Sequence, residues 1–272
     1  MSLNRQKCYK KRKGKYMTVK LKKYWFMFTE LVKRDFIARY KKTFLGVLWS
    51  VLNPVCEFFV MRMIFTNFFG RDTPYYTTYL FTGVMVMSLF SGSTTSGMSA
   101  LTSNSGIITS LNTPKILFLL SSNVANLINF GMTLIIYFIF MLIDGLTFRP
   151  IMLLMLYPII FLVIFNIGTG MILSAMYVMF KDMQYIYGIF LKLLSYVSAI
   201  FYYVDKYDET IQRIFLINPV YDYITYIRTV VIYNEVPPLY LHLICGGYAL
   251  GALLIGSLIY KYNSQKFVIH MI

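Results

Sequence analysis

Few side chains in this 272-residue sequence are of a type that does reaction chemistry, and their spacing keeps them apart. The two histidines, His242 and His270, lie at the far C-terminus and form no metal-ligand set with their neighbours. Cys8, Cys56 and Cys245 are widely scattered, without a C-x-x-C pair, so neither a disulfide framework nor a metal site is expected. Gly14-Lys15 is followed by Tyr16 and has no suitable preceding glycine, so the phosphate loop G-x-x-x-x-G-K-[ST] is absent and the chain is not expected to hold ATP. No Ser/His/Asp or Cys/His set stands out. No catalytic residue and no cofactor is expected in this chain, and energy, if spent, is spent by another subunit. The acids Asp205, Asp208, Glu209, Asp222 and Glu235 are the cluster on which a membrane-embedded glycan- or acyl-transferring enzyme would have to rely.

Charge and aromaticity are the expressive features that remain. The net charge is +15, yet residues 1–45 carry 15 of the 26 Lys and Arg against only Glu30 and Asp35. Nucleic-acid binding calls for a basic face on a polar fold, whereas this basic segment runs directly into apolar sequence. Nucleic acid is therefore not an expected partner, and anionic lipid head groups are. The 24 tyrosines and 23 phenylalanines suit a pathway for sugar rings, a lipid tail or plain packing alike.

The elements that position these residues belong to a bilayer. The chain is 58% hydrophobic and 14% charged, with a mean hydropathy of +0.61, against about 25% charged residues in a soluble domain. Charge-free runs mark the spans: Thr73–Pro114, Ile116–Ile143, Pro150–Phe180 and Val236–Tyr260. The first turns polar toward its end and counts as one helix. Gly46–Phe69 and Ile186–Tyr203 tolerate Glu57, Arg62 and Lys192. The sequence predicts an all-α integral membrane protein with six transmembrane helices at about 46–69, 77–98, 115–143, 150–179, 186–203 and 239–261. The basic N-terminus places both termini in the cytoplasm, with a tail at 1–20, a membrane domain at 43–263 and a second tail at 264–272.

Three further segments are distinctive. Over 21–42, Leu21, Trp25, Phe28, Val32, Phe36 and Tyr40 recur at helical spacing beside Lys22, Lys23, Lys33, Arg34 and Lys41, the pattern of an amphipathic interfacial helix. Residues 99–113 are polar but uncharged, and Pro114 ends them: a loop or a short cytoplasmic helix. Residues 204–238 are split by Asn218-Pro219 into two pieces too short to span, at about 208–233. They are read as two short external helices, re-entrant or interfacial, with Tyr207, Phe215, Tyr221, Tyr223, Tyr226 and Tyr233 as an aromatic rim. Within the spans, Glu57, Arg62 and Lys192 act as structural glue or pathway lining, and Asn126, Asn129 and Asn166 are candidates for interhelical hydrogen bonds.

Arg34–Pro54 reads RDFIARYKKTFLGVLWSVLNP. It resembles the N-terminal signature of type-2 ABC permeases of the polysaccharide (O-antigen, capsule) and teichoic-acid export family: an R-D pair, R-Y, L-G-x-L-W and a late N-P. Leu80–Gly83 resembles the family's F-x-x-G, Asn104–Pro114 its coupling segment, Phe180-Lys181-Asp182 its F-R-D, Ser198–Tyr202 its S-P-I-F-Y, and Leu216–Pro219 with Arg228 its L-N-P and Y-R. The resemblance covers about 30–262. Thr109-Ser110 stand where the family usually has lysines, Ala199 replaces a proline and Lys181 an arginine.

The resemblance implies a permease subunit without its own ATPase, in a homodimer above two copies of a separate ABC ATPase that binds ATP and Mg. It implies a polyprenyl-diphosphate-linked polysaccharide or teichoic-acid-like polymer as cargo and the bacterial cytoplasmic (inner) membrane as location. An exporter of a lipid or drug is the alternative within transport. By resemblance, Asn104, Ile107, Ile108, Ser110 and Pro114 would belong to a coupling helix that takes motion from the ATPase. Trp25, Arg34, Asp35, Arg39, Tyr40 and Trp49 would flank the cytoplasmic entrance, where basic residues attract the diphosphate. Glu57, Phe58, Arg62, Lys192, Tyr196 and Tyr202, on or next to the first and fifth spans, would line a pathway at the dimer interface, and Asn218, Pro219, Tyr221 and Arg228 would form the external gate.

Overall fold

A computed structural model describes residues 22–38, 74–110, 113–204 and 207–263, together with isolated positions between Gly46 and Ile64. The described residues are all-α, with no strand among them. In chain order they form α1 (22–38), α2 (Tyr76–Ser99), a 3-10 turn (Thr102–Asn104) leading into α3 (Ser105–Ser110), and α4 (Ile116–Ile143). A 3-10 segment (Pro150–Met155) then opens α5 (Leu156–Met179), followed by α6 (Met183–Val197), α7 (Glu209–Phe215), α8 (Pro219–Arg228) with a π-turn (Thr229–Tyr233), and α9 (Leu239–Asn263).

Three helical stretches are long and apolar enough to cross a bilayer: Ile116–Ile143, Pro150–Met179 and Leu239–Asn263. The protein is a multi-pass membrane protein. Lys115 and Asp144 bracket α4 because an ion is tolerated only where the helix leaves the hydrocarbon. The predicted span at 46–69 lies mostly outside the described residues; the described positions within 48–64 are helical. α2 matches the predicted 77–98 closely. It is buried along most of its length as the central post of the bundle rather than facing lipid. Its hydroxyls turn back onto its own carbonyls, as Thr94 Oγ1 does to Phe90 O at 2.7 Å, which lets so polar a helix sit dry. α6 is shorter than the predicted 186–203, since helix ends at Val197 and Ser198–Val204 form an irregular strap.

α2 and α5 run parallel, with Phe90 stacked on Phe165 at 5.8 Å, and α4 is antiparallel to both. α9 lies parallel on α5, Tyr157 meeting His242 near the start of both helices and Met171 meeting Gly256 further along, in a close crossing. A Cβ on Gly168 would strike the backbone of Ala252 and Leu253, and one on Gly256 would strike Gly168 O. Small residues at 252 and 256, one turn apart, let the two backbones touch, so dispersion holds helices that the hydrophobic effect does not drive together in lipid. A large apolar core fills the bundle toward the Tyr76 end of α2. A second cluster at the α1 end joins Leu31, Leu101, Ile108, Phe118, Met171 and Tyr260.

Candidate functional site

The segments that resist lipid carry the site, and they lie at the two ends of the bundle. At one end, α7 and α8 form a helical hairpin whose apex dips among the helices. Asn218 and Pro219 line an apolar cavity of about 220 Å³ with Phe90, Phe165, Thr169 and Leu173, roughly 20 Å along α2 from Tyr76. The apex of the hairpin therefore reaches the level of Phe90 and Phe165, well inside the bundle. Asn218 is the N-cap of α8, its Oδ1 accepting from Val220 N at 3.0 Å, and Pro219 takes the first helical position, where a missing N–H costs nothing. Asn218 Nδ2 also donates to Ser198 Oγ at 2.9 Å, so the cap is tied to the end of α6.

At its other end α8 carries Arg228, 3% exposed and with no carboxylate beside it among the described residues. Its guanidinium donates through Nε and Nη2 to Tyr79 O at 3.2 and 3.0 Å, through Nη1 to Ala199 O at 3.0 Å, and through Nη2 to Ile200 O at 3.1 Å. The Tyr79 ring lies 3.3 Å from the guanidinium carbon, a cation–π contact. Glycine at 83 makes room, since a Cβ there would stand 3.2 Å from Nη2. Tyr76 and Tyr79 hold the strap from the opposite side, donating to Phe201 O at 3.2 Å and Tyr202 O at 2.7 Å. The strap is irregular backbone, largely buried, made tolerable because Arg228 and two tyrosines replace its missing ladder.

The strap also accounts for the alanine at 199. Ala199 has φ +48°, which proline, locked near −65°, does not adopt.

Of the aromatic rim predicted for this segment, Tyr207 and Tyr233 are exposed, but Tyr221, Tyr223 and Tyr226 point inward. Tyr223 donates to Cys245 O at 2.8 Å, and Tyr226 meets His242 Nε2 at 2.7 Å. They are buried because α8 sinks into the bundle instead of lying on its surface. Tyr221 packs on Phe215, and Phe215 on Tyr202, a small core private to the hairpin and strap. Asp222 is fully buried, and neither carboxyl oxygen has a hydrogen-bond partner. Burial pushes its pKa up to about 8. Sequence reading had placed Asp222 in an external acidic cluster. Its one advance signal was an acid among apolar residues just after an N-cap.

At the other end the predicted coupling residues divide by face. Asn104 and Ile108 are buried, with Asn104 Nδ2 donating to Ala100 O at 2.7 Å. Ser110 is exposed, its hydroxyl satisfied by Gly106 O at 2.7 Å. With Ser103, Gly106 and Thr109 it makes a small, uncharged outward surface. Ile107 is half-buried, and Pro114 precedes α4, its carbonyl accepting from Leu117 N at 3.1 Å.

α1 docks beside them through a face its apolar stripe does not reveal. Trp25 is 68% exposed, whereas Leu31 is buried in the cluster that holds Ile108. Arg34 grips Asp35 Oδ1 at 2.6 Å, and Asp35 Oδ2 accepts from Ser121 Oγ of α4 at 2.8 Å, which gives the R-D pair a positioning role. Trp49 is half exposed. Arg39, Tyr40, Glu57, Phe58 and Arg62 lie outside the described residues.

Lys192 is exposed on α6 with no ion pair among the described residues, one turn from Tyr196, which is 65% exposed. Tyr202 donates to Tyr196 O at 2.8 Å. Of the predicted interhelical asparagines, Asn126 bonds Ser96 Oγ at 2.7 Å, while the buried side chain of Asn166 has no partner. Sequence reading missed Tyr79 and Asp144; Asp144 Oδ2 accepts from Thr78 N and Oγ1 at 2.7 Å and caps the start of α2.

Two proteins named as permease proteins of O-antigen export systems align with the chain. One, from Myxococcus xanthus, is 28% identical over 80% of this chain and 84% of its own length. One from Klebsiella pneumoniae is 28% identical over 75% of this chain and 80% of its own. The chain is similar to proteins named as O-antigen export permeases. No protein-family model matches it. The relatives are transport components, and their alignments are long enough to take in most of a multi-pass membrane domain.

Proposed function

We propose that this protein is the permease subunit of an ATP-driven exporter that moves a polyprenyl-diphosphate-linked polysaccharide or teichoic-acid-like polymer across the bacterial cytoplasmic membrane. The observation that carries the reading is similarity over 75–80% of the chain to permeases named for O-antigen export. In this reading the α1 end is cytoplasmic, both termini included, and six helices span. Two copies pair over two ABC ATPases that hold ATP and Mg, and the α7–α8 hairpin closes the pathway on the outside.

Particular residues support it. α3 presents a small uncharged face of the kind a partner helix or cleft accepts, braced from behind by Asn104 and Ile108. An exposed Lys192 on α6, without an ion pair among the described residues, is costly against lipid, by about 2.5–3.5 kcal/mol at a helix centre. Facing a hydrated pathway or a second copy removes that cost. Tyr196, beside Lys192, and Tyr202 and Tyr207 give sugar rings apolar faces to pack on.

The test is co-expression with an ABC ATPase encoded beside it, purification of the complex, and measurement of hydrolysis in membranes. A stable complex is expected, and Ser110→Asp, placing a charge on the outward face of α3, reduces its hydrolysis at least about tenfold, the effect of 1.4 kcal/mol. Failure to form a complex with that ATPase overturns the reading. Hydrolysis stimulated by a drug or free lipid but not by lipid-linked glycan would assign a different cargo.

A further inference from the structure

We infer that α1 is a sensor of anionic bilayer lipid that sets the efficiency of ATPase coupling. The inference rests on reading α3 as the coupling helix and deepens it.

α1 has three faces. Leu31 and Met27, with Asp35 below them, face the protein. Leu31 shares one apolar cluster with Leu101 and Ile108, Met27 and Ile107 pack against that cluster, and Asp35 is bonded to Ser121. Trp25, Val32 and Phe36 occupy a second sector; Trp25 is 68% exposed, and an exposed indole is the side chain that anchors in lipid head groups. Lys22, Lys23, Lys33 and Arg34 fall in the third, all exposed. Lys33 pairs with Glu30 and Arg34 with Asp35, but Lys22 and Lys23 have no ion pair among the described residues. Residues 1–20 add eight further Lys and Arg and no acid.

One helix therefore carries an exposed aromatic and, among the described residues, two cations without an ion pair, while another face packs into the cluster that holds Ile108 of α3. Each Lys next to an anionic surface is worth about fivefold in partitioning. Anionic lipid thus selects the docked position of α1, and the docked position fixes Ile108. A diphosphate carrier shares the phosphate chemistry, but a run of charge from the first residues to Arg34 fits an extended lipid surface rather than one head group.

The experiment uses the full permease–ATPase complex in nanodiscs of phosphatidylcholine alone or with 30% phosphatidylglycerol. Hydrolysis is expected to rise at least about threefold with the anionic lipid. That ratio should fall to about one when Lys22→Glu and Lys23→Glu are combined, and in 1 M salt, where screening reaches about 3 Å. Leu31→Ala should also flatten the ratio, because it cuts the link to α3 while leaving the cations in place. An unchanged ratio in the double lysine variant, whose substitutions are exposed and do not threaten folding, overturns the proposal. So does stimulation by an isoprenoid diphosphate in neutral membranes with none by phosphatidylglycerol, which would give the face to the carrier. Active hydrolysis equal in both membranes refutes the sensor alone, whereas no complex with an ATPase removes the exporter reading and the sensor with it.

Discussion

Arg228→Gln should release the strap from α8 without unfolding the bundle. The guanidinium makes two bonds to Tyr79 O and one each to Ala199 O and Ile200 O. Tyr79 lies inside α2, so its carbonyl keeps a helical partner when Arg228 is lost. Ala199 and Ile200 lie beyond the end of α6, and their buried carbonyls are left unpaired, at about 1–3 kcal/mol each. Removing a desolvated cation returns part of that, and glutamine recovers at most one bond. The net cost is about 2–4 kcal/mol, or roughly 30- to 700-fold in the equilibrium that frees the strap. Hydrogen exchange in nanodiscs reads this directly, with amides of 198–204 exchanging faster by that factor and those of α4 and α5 unchanged. Arg228→Lys, which keeps the charge but loses the fork, should fall between. Strap exchange within twofold of wild type would refute the clamp.

Three other outcomes follow from the packing. Asp222 has a carboxyl raised to about 8 by burial, so its contribution to stability is full below its unfolded value near 4 and is lost as pH rises through about 8. The melting temperature should accordingly fall between pH 5 and pH 8 in wild type and stay flatter in Asp222→Asn; equal slopes would show that the carboxyl finds a partner. Ala199→Gly should gain up to about 1 kcal/mol by relieving a positive φ, and Ala199→Pro should lose stability and mimic Arg228→Gln in exchange. Gly168→Val should cost about 3 kcal/mol or more by forcing α5 from α9, while Gly247→Ala, with open space at its Cβ, should be neutral by thermal melting.

What the sequence made legible is what a bilayer enforces residue by residue. Lys115 and Asp144 could not be moved inward, so the charge-free run between them and the helix Ile116–Ile143 coincide. Asn218-Pro219 announced a helix start because an N-cap and a proline at the first position are local chemistry. The end of α6 was not legible. Ile200, Phe201 and Tyr202 look like more span, and the groups that permit irregular backbone there are Tyr76, Tyr79 and Arg228, one of which is nearly thirty residues away and the other two more than a hundred. The inward turn of Tyr221, Tyr223 and Tyr226 was hidden for a related reason. An amphipathic tyrosine suits a membrane interface and a hydrogen-bonded core equally, and only the depth of the hairpin decides between them. On α1 the apolar stripe from Trp25 to Phe36 drew attention from Leu31, whose burial comes from a cluster assembled from residues far along the chain, among them Phe118, Met171 and Tyr260.

The two ends of α8 carry a mechanical consequence. Asn218 holds Ser198 and Arg228 holds Ala199 and Ile200, so both ends of one ten-residue helix are bonded to the same three residues that follow α6. The hairpin has no way to swing on its own without first breaking buried bonds, and it moves with α6 at no such cost. α6 starts at Met183, at the end of the bundle that carries α1 and α3. Its sides are poorly anchored, since Tyr187, bonded to Thr94 at 2.6 Å, is its one buried residue. A tilt of α6 pivoting near that bond costs little packing and carries the hairpin with it. For an exporter worked from the α3 end, that is the shortest rigid path to the α7–α8 hairpin. It requires that Tyr187→Phe, which frees the pivot, and Asn218→Ala, which frees the load, have separable effects. The first should alter hydrolysis and export together, and the second should leave hydrolysis running while export falls.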